Sequence, residues 1–113
     1  MKLGYFGAST GAGAALIAAA RAGERISAVV SRGGRPDLAH EWLPQVHAPT
    51  LLIVGGLDTA VLGLNHLALD QLRCPKRLVV VPGATHLFEE PGTLEQVSSL
   101  AYEWFARYLV DTR

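Results

Sequence analysis

The chain alternates between short, nearly unbroken apolar runs and longer stretches where apolar residues recur at helical spacing. Lys2 to Phe6 predicts a short strand that ends in a glycine turn, Gly7-Ala8-Ser9-Thr10-Gly11-Ala12-Gly13. Ala12 to Ala22 is rich in alanine, which predicts a helix lying close on a sheet and stopped near Gly23. Ile26 to Ser31 predicts a second strand, closed by Gly33-Gly34. Beyond Pro36, Leu38 to Leu43 predicts a short helix. Thr50 to Val54 is a continuous apolar run stopped by Gly55-Gly56, the pattern of a parallel strand buried on both faces. Ala60 to Leu72 predicts a helix with Val61, Leu64, Ala68 and Leu72 on one face, ended by Pro75. Arg77 to Val81 predicts a fourth strand, closed by Pro82-Gly83. Leu94 to Val110 predicts a final helix whose stripe of Leu94, Val97, Ala101, Trp104 and Tyr108 is widened by Leu100, Phe105 and Leu109. Thr93 and Gln96 fit a capping box at its start. Strands alternating with helices in this order predict an α/β domain: four parallel strands, right-handed crossovers, helices on both faces.

Composition narrows the class. The chain has 113 residues, which bounds it to one domain, 1–113, with a core of modest size. Half of the residues are hydrophobic and the formal charge is zero, so the chain is globular and carries no basic excess for nucleic acid. No apolar run reaches membrane-spanning length, and no signal peptide is expected. Cys74 is the single cysteine, which excludes an internal disulfide. A cytoplasmic location is the expectation. His40, His47 and His66 have no metal-ligand spacing, so neither metal nor cofactor is expected.

The glycine turn carries the chemistry and admits two readings. Gly7-Ala8-Ser9-Thr10-Gly11 fits G-x-S-x-G, the strand-to-helix elbow that exposes a nucleophilic serine, with Gly7 and Gly11 making room where strand and helix crowd. The same turn also resembles the dinucleotide-binding loop of short-chain dehydrogenases, and "AVVSRGG" resembles their second strand. The catalytic Tyr-x-x-x-Lys pair of those enzymes is absent: Tyr5, Tyr102 and Tyr108 all lack a lysine four positions on. The hydrolase reading has support downstream. Asp58 follows the third predicted strand and His86 the fourth, giving the order serine, acid, histidine. All three would stand past the carboxyl ends of their strands, where open parallel sheets form sites. There the histidine takes the serine proton, while the carboxylate fixes its tautomer.

"GYFGASTGA", "APTLLIVGGLD" and "VVVPGATHLFEEPG" together resemble the C-terminal half of the α/β-hydrolase superfamily. The likeness is to dienelactone hydrolase-like members, some fused to phosphoribosyltransferases. It implies a truncated α/β-hydrolase fold, with Ser9 as nucleophile, Asp58 as acid and His86 as base. The Thr10 N–H would serve as one oxyanion donor. The family's earlier strands, and the loop that gives a second donor, are expected to be absent, so hydrolysis is expected to be slow.

Together these features predict a serine esterase acting on small esters or lactones. Arg32 and Arg35 are candidate contacts for an anionic substrate, with a solvated loop pair the plainer reading. Asp37 is a substitute acid or an N-cap, and Asp58 is an N-cap, an acid or both. Glu89-Glu90 reads as a solvated turn. A non-catalytic assembly module and a dinucleotide-binding unit are the alternatives. The first strand would be an open edge, which predicts a homo-oligomer, most simply a dimer.

Overall fold

The computed structural model describes residues 2–109. Strands β1 (Leu3–Ala8), β2 (Ile26–Arg32), β3 (Thr50–Gly55) and β4 (Lys76–Val81) form one sheet in the order β1-β2-β3-β4. Each neighbouring pair runs parallel. Helices α1 (Thr10–Ala22), α2 (Thr59–Gln71) and α3 (Thr93–Leu109) alternate with them. The sequence-predicted architecture is therefore the observed one. The segment after β2 is a 3-10 stretch, Pro36–Gln45, rather than an α-helix. A kink at Ala39 and the internal Pro44 account for that.

Side-chain alternation on the strands sorts the core into two layers. Val29 and Leu52 point to the face covered by α1, α2 and the 3-10 stretch, where they join Leu16, Ala19, Leu43, Ala68 and Leu72. Their neighbours Val30, Leu51 and Ile53 point to the other face, under Val97, Ala101 and Trp104 of α3. All six residues of β3 are buried, as its continuous apolar run predicts. α1 ends where the alanine run meets Gly23, at φ 61, whose N–H donates to the Ala19 carbonyl.

Helix α3 departs from expectation at its start. Leu94, placed in the apolar stripe, is half exposed. Thr93 forms no capping box: it is buried, and its hydroxyl donates to the Glu90 carbonyl at 2.8 Å. The first helical bond runs instead from the Gln96 N–H to the Gly92 carbonyl.

β1 is one edge of the sheet, and Leu3 and Phe6 on it are about half exposed. Among the described residues, no helix is long and apolar enough to cross a membrane.

Candidate active site

The first site element is the turn between β1 and α1. Ser9 has φ 50 and ψ −126, a conformation that L-residues rarely adopt. Holding a side chain there costs about 1–3 kcal/mol, which the surrounding bonds must offset. Those bonds are present. The Ser9 N–H donates to the Arg32 carbonyl at 3.3 Å, and the Ser9 carbonyl accepts from Ala12 N at 3.2 Å and Arg35 N at 3.0 Å.

Gly7 is required by space: a Cβ there would stand 2.7 Å from the Ala12 Cα and the Gly11 carbonyl oxygen. Gly11 is not required in the same way, since a Cβ there meets nothing within 4 Å. The two glycines thus differ, contrary to the reading that both relieve crowding. Gly7→Ala is expected to lower stability by about 1–3 kcal/mol or more through overpacking, while Gly11→Ala, on an exposed first turn, costs little. Thermal unfolding of the two variants checks this difference.

Asp58 and His86 arrive from the ends of β3 and β4. Asp58 occupies the N-cap position of α2, where its carbonyl accepts from Leu62 N at 2.9 Å, but its carboxylate makes no capping bond. The carboxylate instead meets His86: Oδ2 lies 2.8 Å from Nδ1. On the far side of the ring, Nε2 lies 2.7 Å from the Ser9 Oγ. A carboxylate can only accept, so Nδ1–H donates to Asp58 and Nε2 is left to accept the serine hydroxyl proton. The Asp58 side chain is 14% exposed and that of His86 39%, so the line runs from a sheltered acid to a partly open serine end. Thr10 N–H, the first amide of α1, adjoins Ser9. It is one of the first-turn donors without an intrahelical acceptor.

The loop bearing His86 has its own clamp, at a residue read from sequence as a solvated turn. Glu90 accepts from Thr85 twice, from the N–H at 3.1 Å and from the hydroxyl at 2.6 Å. This closes a ring around His86. The Thr85 hydroxyl bond, followed by its amide, lowers the Glu90 carboxyl below its ordinary 4.5. A depressed carboxyl stabilises the folded loop above the unfolded value and loses that contribution as pH falls through the folded one. The Thr85 amide resonance should therefore titrate with a midpoint below 4.5. A midpoint at or above that value would show no clamp in solution.

The flanking arginines part company. Arg35 pairs with Asp37 in a two-pronged bond of 3.0 and 2.9 Å. The pairing raises the arginine and lowers the aspartate from their ordinary values, the mutual hydrogen bond being the first cause. This engages both Arg35, a substrate-contact candidate, and Asp37, the substitute acid. Arg32 is placed differently, its guanidinium 5.5 Å from the centre of the Phe88 ring, two residues beyond His86. His40, His47 and His66 are exposed and lie outside the line. A cleft of about 390 Å³ lined by Lys76, Arg77, Trp104 and Arg107 opens at the amino ends of β3 and β4, away from these three side chains.

Sequence reading missed Asn65. It is fully buried in α2, and its amide donates to the carbonyls of Gly34 at 3.1 Å and Val61 at 2.8 Å. The available signal was its spacing: Asn65 lies four residues after Val61 and three before Ala68, on the buried face.

A parallel sheet with a strained serine elbow after its first strand, and an acid and a histidine after its third and fourth, has the architecture of part of an α/β-hydrolase fold. The comparisons give the particulars. The dienelactone hydrolase of Anabaena variabilis superposes with a TM-score of 0.94 at 64% identity, over 96% of this chain and 50% of that one. The esterase domain of a Rhodothermus marinus protein matches with a TM-score of 0.82 at 21% identity, over 95% and 61%, a likeness of fold. A provisionally named phosphoribosyl transferase of Mycobacterium tuberculosis is 63% identical over 109 residues, 96% of this chain and 25% of its own length. The chain thus spans a quarter of that curated relative and half of the dienelactone hydrolase. No family model matches the chain.

Proposed function

We propose that the chain is a serine hydrolase that cleaves small esters or lactones through an acyl-enzyme on Ser9. The observation that carries this is the unbroken line Ser9–His86–Asp58, with contacts of 2.7 and 2.8 Å, built on three separate strand ends. In the first half-reaction Ser9 Oγ attacks the ester carbonyl carbon and its proton passes to His86 Nε2. The Thr10 N–H donates to the oxygen on which negative charge develops. Collapse of the tetrahedral intermediate breaks the bond to the alcohol oxygen, which takes the proton from His86. Water then attacks the acyl-enzyme, with His86 as base, and Ser9 leaves reprotonated. The Asp58 carboxylate holds the Nδ1 side of the ring and stabilises the imidazolium that forms.

The test is pre-steady-state hydrolysis of nitrophenyl acetate. The expected result is a burst of nitrophenolate stoichiometric with protein, followed by slower turnover. A protein that shows neither burst nor turnover would favour a second reading, a non-catalytic module of a larger polypeptide. The observation on that side is that the chain matches a quarter of its Mycobacterium tuberculosis relative. Dinucleotide binding has less support, because the Tyr-x-x-x-Lys pair of the short-chain dehydrogenases is absent.

The proposal includes self-association, since Leu3 and Phe6 on the sheet edge leave apolar surface exposed. Light scattering is expected to give twice the monomer mass, and a monomer at micromolar concentration would remove this part.

A further inference from the structure

We infer that Asn65 is a positioning residue for the Ser9–His86 pair, acting through the turn formed by Gly33, Gly34 and Arg35. The inference rests on the proposed role of Ser9. That turn touches both reacting side chains' supports. The Arg35 N–H donates to the Ser9 carbonyl at 3.0 Å. Gly33, at φ 54, lies against His86: a Cβ there would sit 3.3 Å from the His86 carbonyl oxygen and 3.5 Å from the imidazole Cε1 and Nδ1. The turn is fixed at its start by the Gly33 N–H, which donates to the Ile53 carbonyl at 2.7 Å. Its middle carbonyl, on Gly34, is held by the side chain of Asn65, which reaches it from α2 at 3.1 Å.

Asn65 is an unusual choice for its place. It is fully buried on the face where Ala68 packs into the core, and its Oδ1 has no hydrogen-bond partner. Leucine would fill this position without burying an unpaired carbonyl. What leucine cannot do is donate to Gly34. Both amide hydrogens of Asn65 are used, one anchoring the side chain on its own helix at Val61 and one on the turn. The side chain therefore ties α2, whose N-cap is Asp58, to the turn that supports Ser9 and abuts His86. One residue couples the placement of all three.

The experiment compares wild-type protein with Asn65→Leu and Asn65→Asp. It reads the second-order rate of capture by a fluorophosphonate, the exchange rate of the Arg35 amide, and the kcat and KM for nitrophenyl acetate. Asn65→Leu is expected to slow capture at least tenfold, to lower kcat with little change in KM, and to speed Arg35 exchange. Asn65→Asp keeps the shape and can donate to Gly34 only when protonated. Its capture rate, taken as a ratio to wild type at each pH, is expected to fall as pH rises. A folded Asn65→Leu with wild-type capture and Arg35 exchange would overturn the inference, and so would a flat ratio for Asn65→Asp if the leucine variant fails to fold. A wild-type protein that is not captured overturns the reading of Ser9 itself, and with it the positioning role.

Discussion

Ser9→Ala is expected to lower kcat on nitrophenyl acetate by at least about a thousandfold, because no other group can form the acyl bond. His86→Ala is expected to cost about as much. The double variant should be no worse than either single one, since the two side chains act as a unit: once the base is gone the hydroxyl is an ordinary alcohol. The backbone gives this prediction an internal control. Alanine keeps the unfavourable φ of 50 at position 9, whereas glycine adopts it freely. Ser9→Gly should therefore be as inactive as Ser9→Ala yet more stable by about 1 kcal/mol, read by thermal unfolding. Equal loss of activity with unequal stability would separate the chemistry of the hydroxyl from the strain of the elbow. Residual activity near wild type in Ser9→Ala would place the nucleophile elsewhere.

Asp58→Asn is the second large effect, a loss on the order of 10³- to 10⁴-fold in kcat. Asn is as good an N-cap as Asp, and the carboxylate of Asp58 makes no capping bond, so α2 should be retained. What changes is the imidazole. An amide can present N–H to His86 Nδ1, which drives the ring proton to Nε2, 2.7 Å from the Ser9 Oγ. The histidine then faces the serine with a hydrogen rather than a lone pair and cannot accept its proton. Steady-state kinetics on the folded variant, with circular dichroism as the check on fold, measure this. A loss of less than tenfold would mean that Asp58 is only the helix cap that its position also allows.

The sequence exposes those parts of this molecule that depend on neighbours along the chain. β3 is legible because every residue from Thr50 to Gly55 is buried, and burial on both faces leaves an unbroken apolar run. The order Ser9, Asp58, His86 is legible because each residue stands in the turn or loop that follows a strand, and parallel strands put those positions at one edge. The supports of the site were hidden because they are made across the chain. The bond from Asn65 to Gly34 spans 31 residues, and nothing local marks a buried asparagine on a helix. Glu90 reads as solvated because it is charged and lies near Pro91. Its bonds to Thr85 appear only once the loop has closed. Leu94 misled for a related reason: periodicity places it in the stripe, but α3 has only just begun there and the sheet does not reach it. Gly11 shows the limit of a motif, since the pattern demands a glycine where the space around it does not.

The most direct test of the whole account is the mass of the protein after brief exposure to a fluorophosphonate, followed by peptide mapping. A Ser9 nucleophile activated by His86 predicts one adduct per chain, carried by Ser9, formed by wild-type protein and absent from Ser9→Ala and His86→Ala. An unmodified wild-type protein, or an adduct that persists in Ser9→Ala, would contradict it.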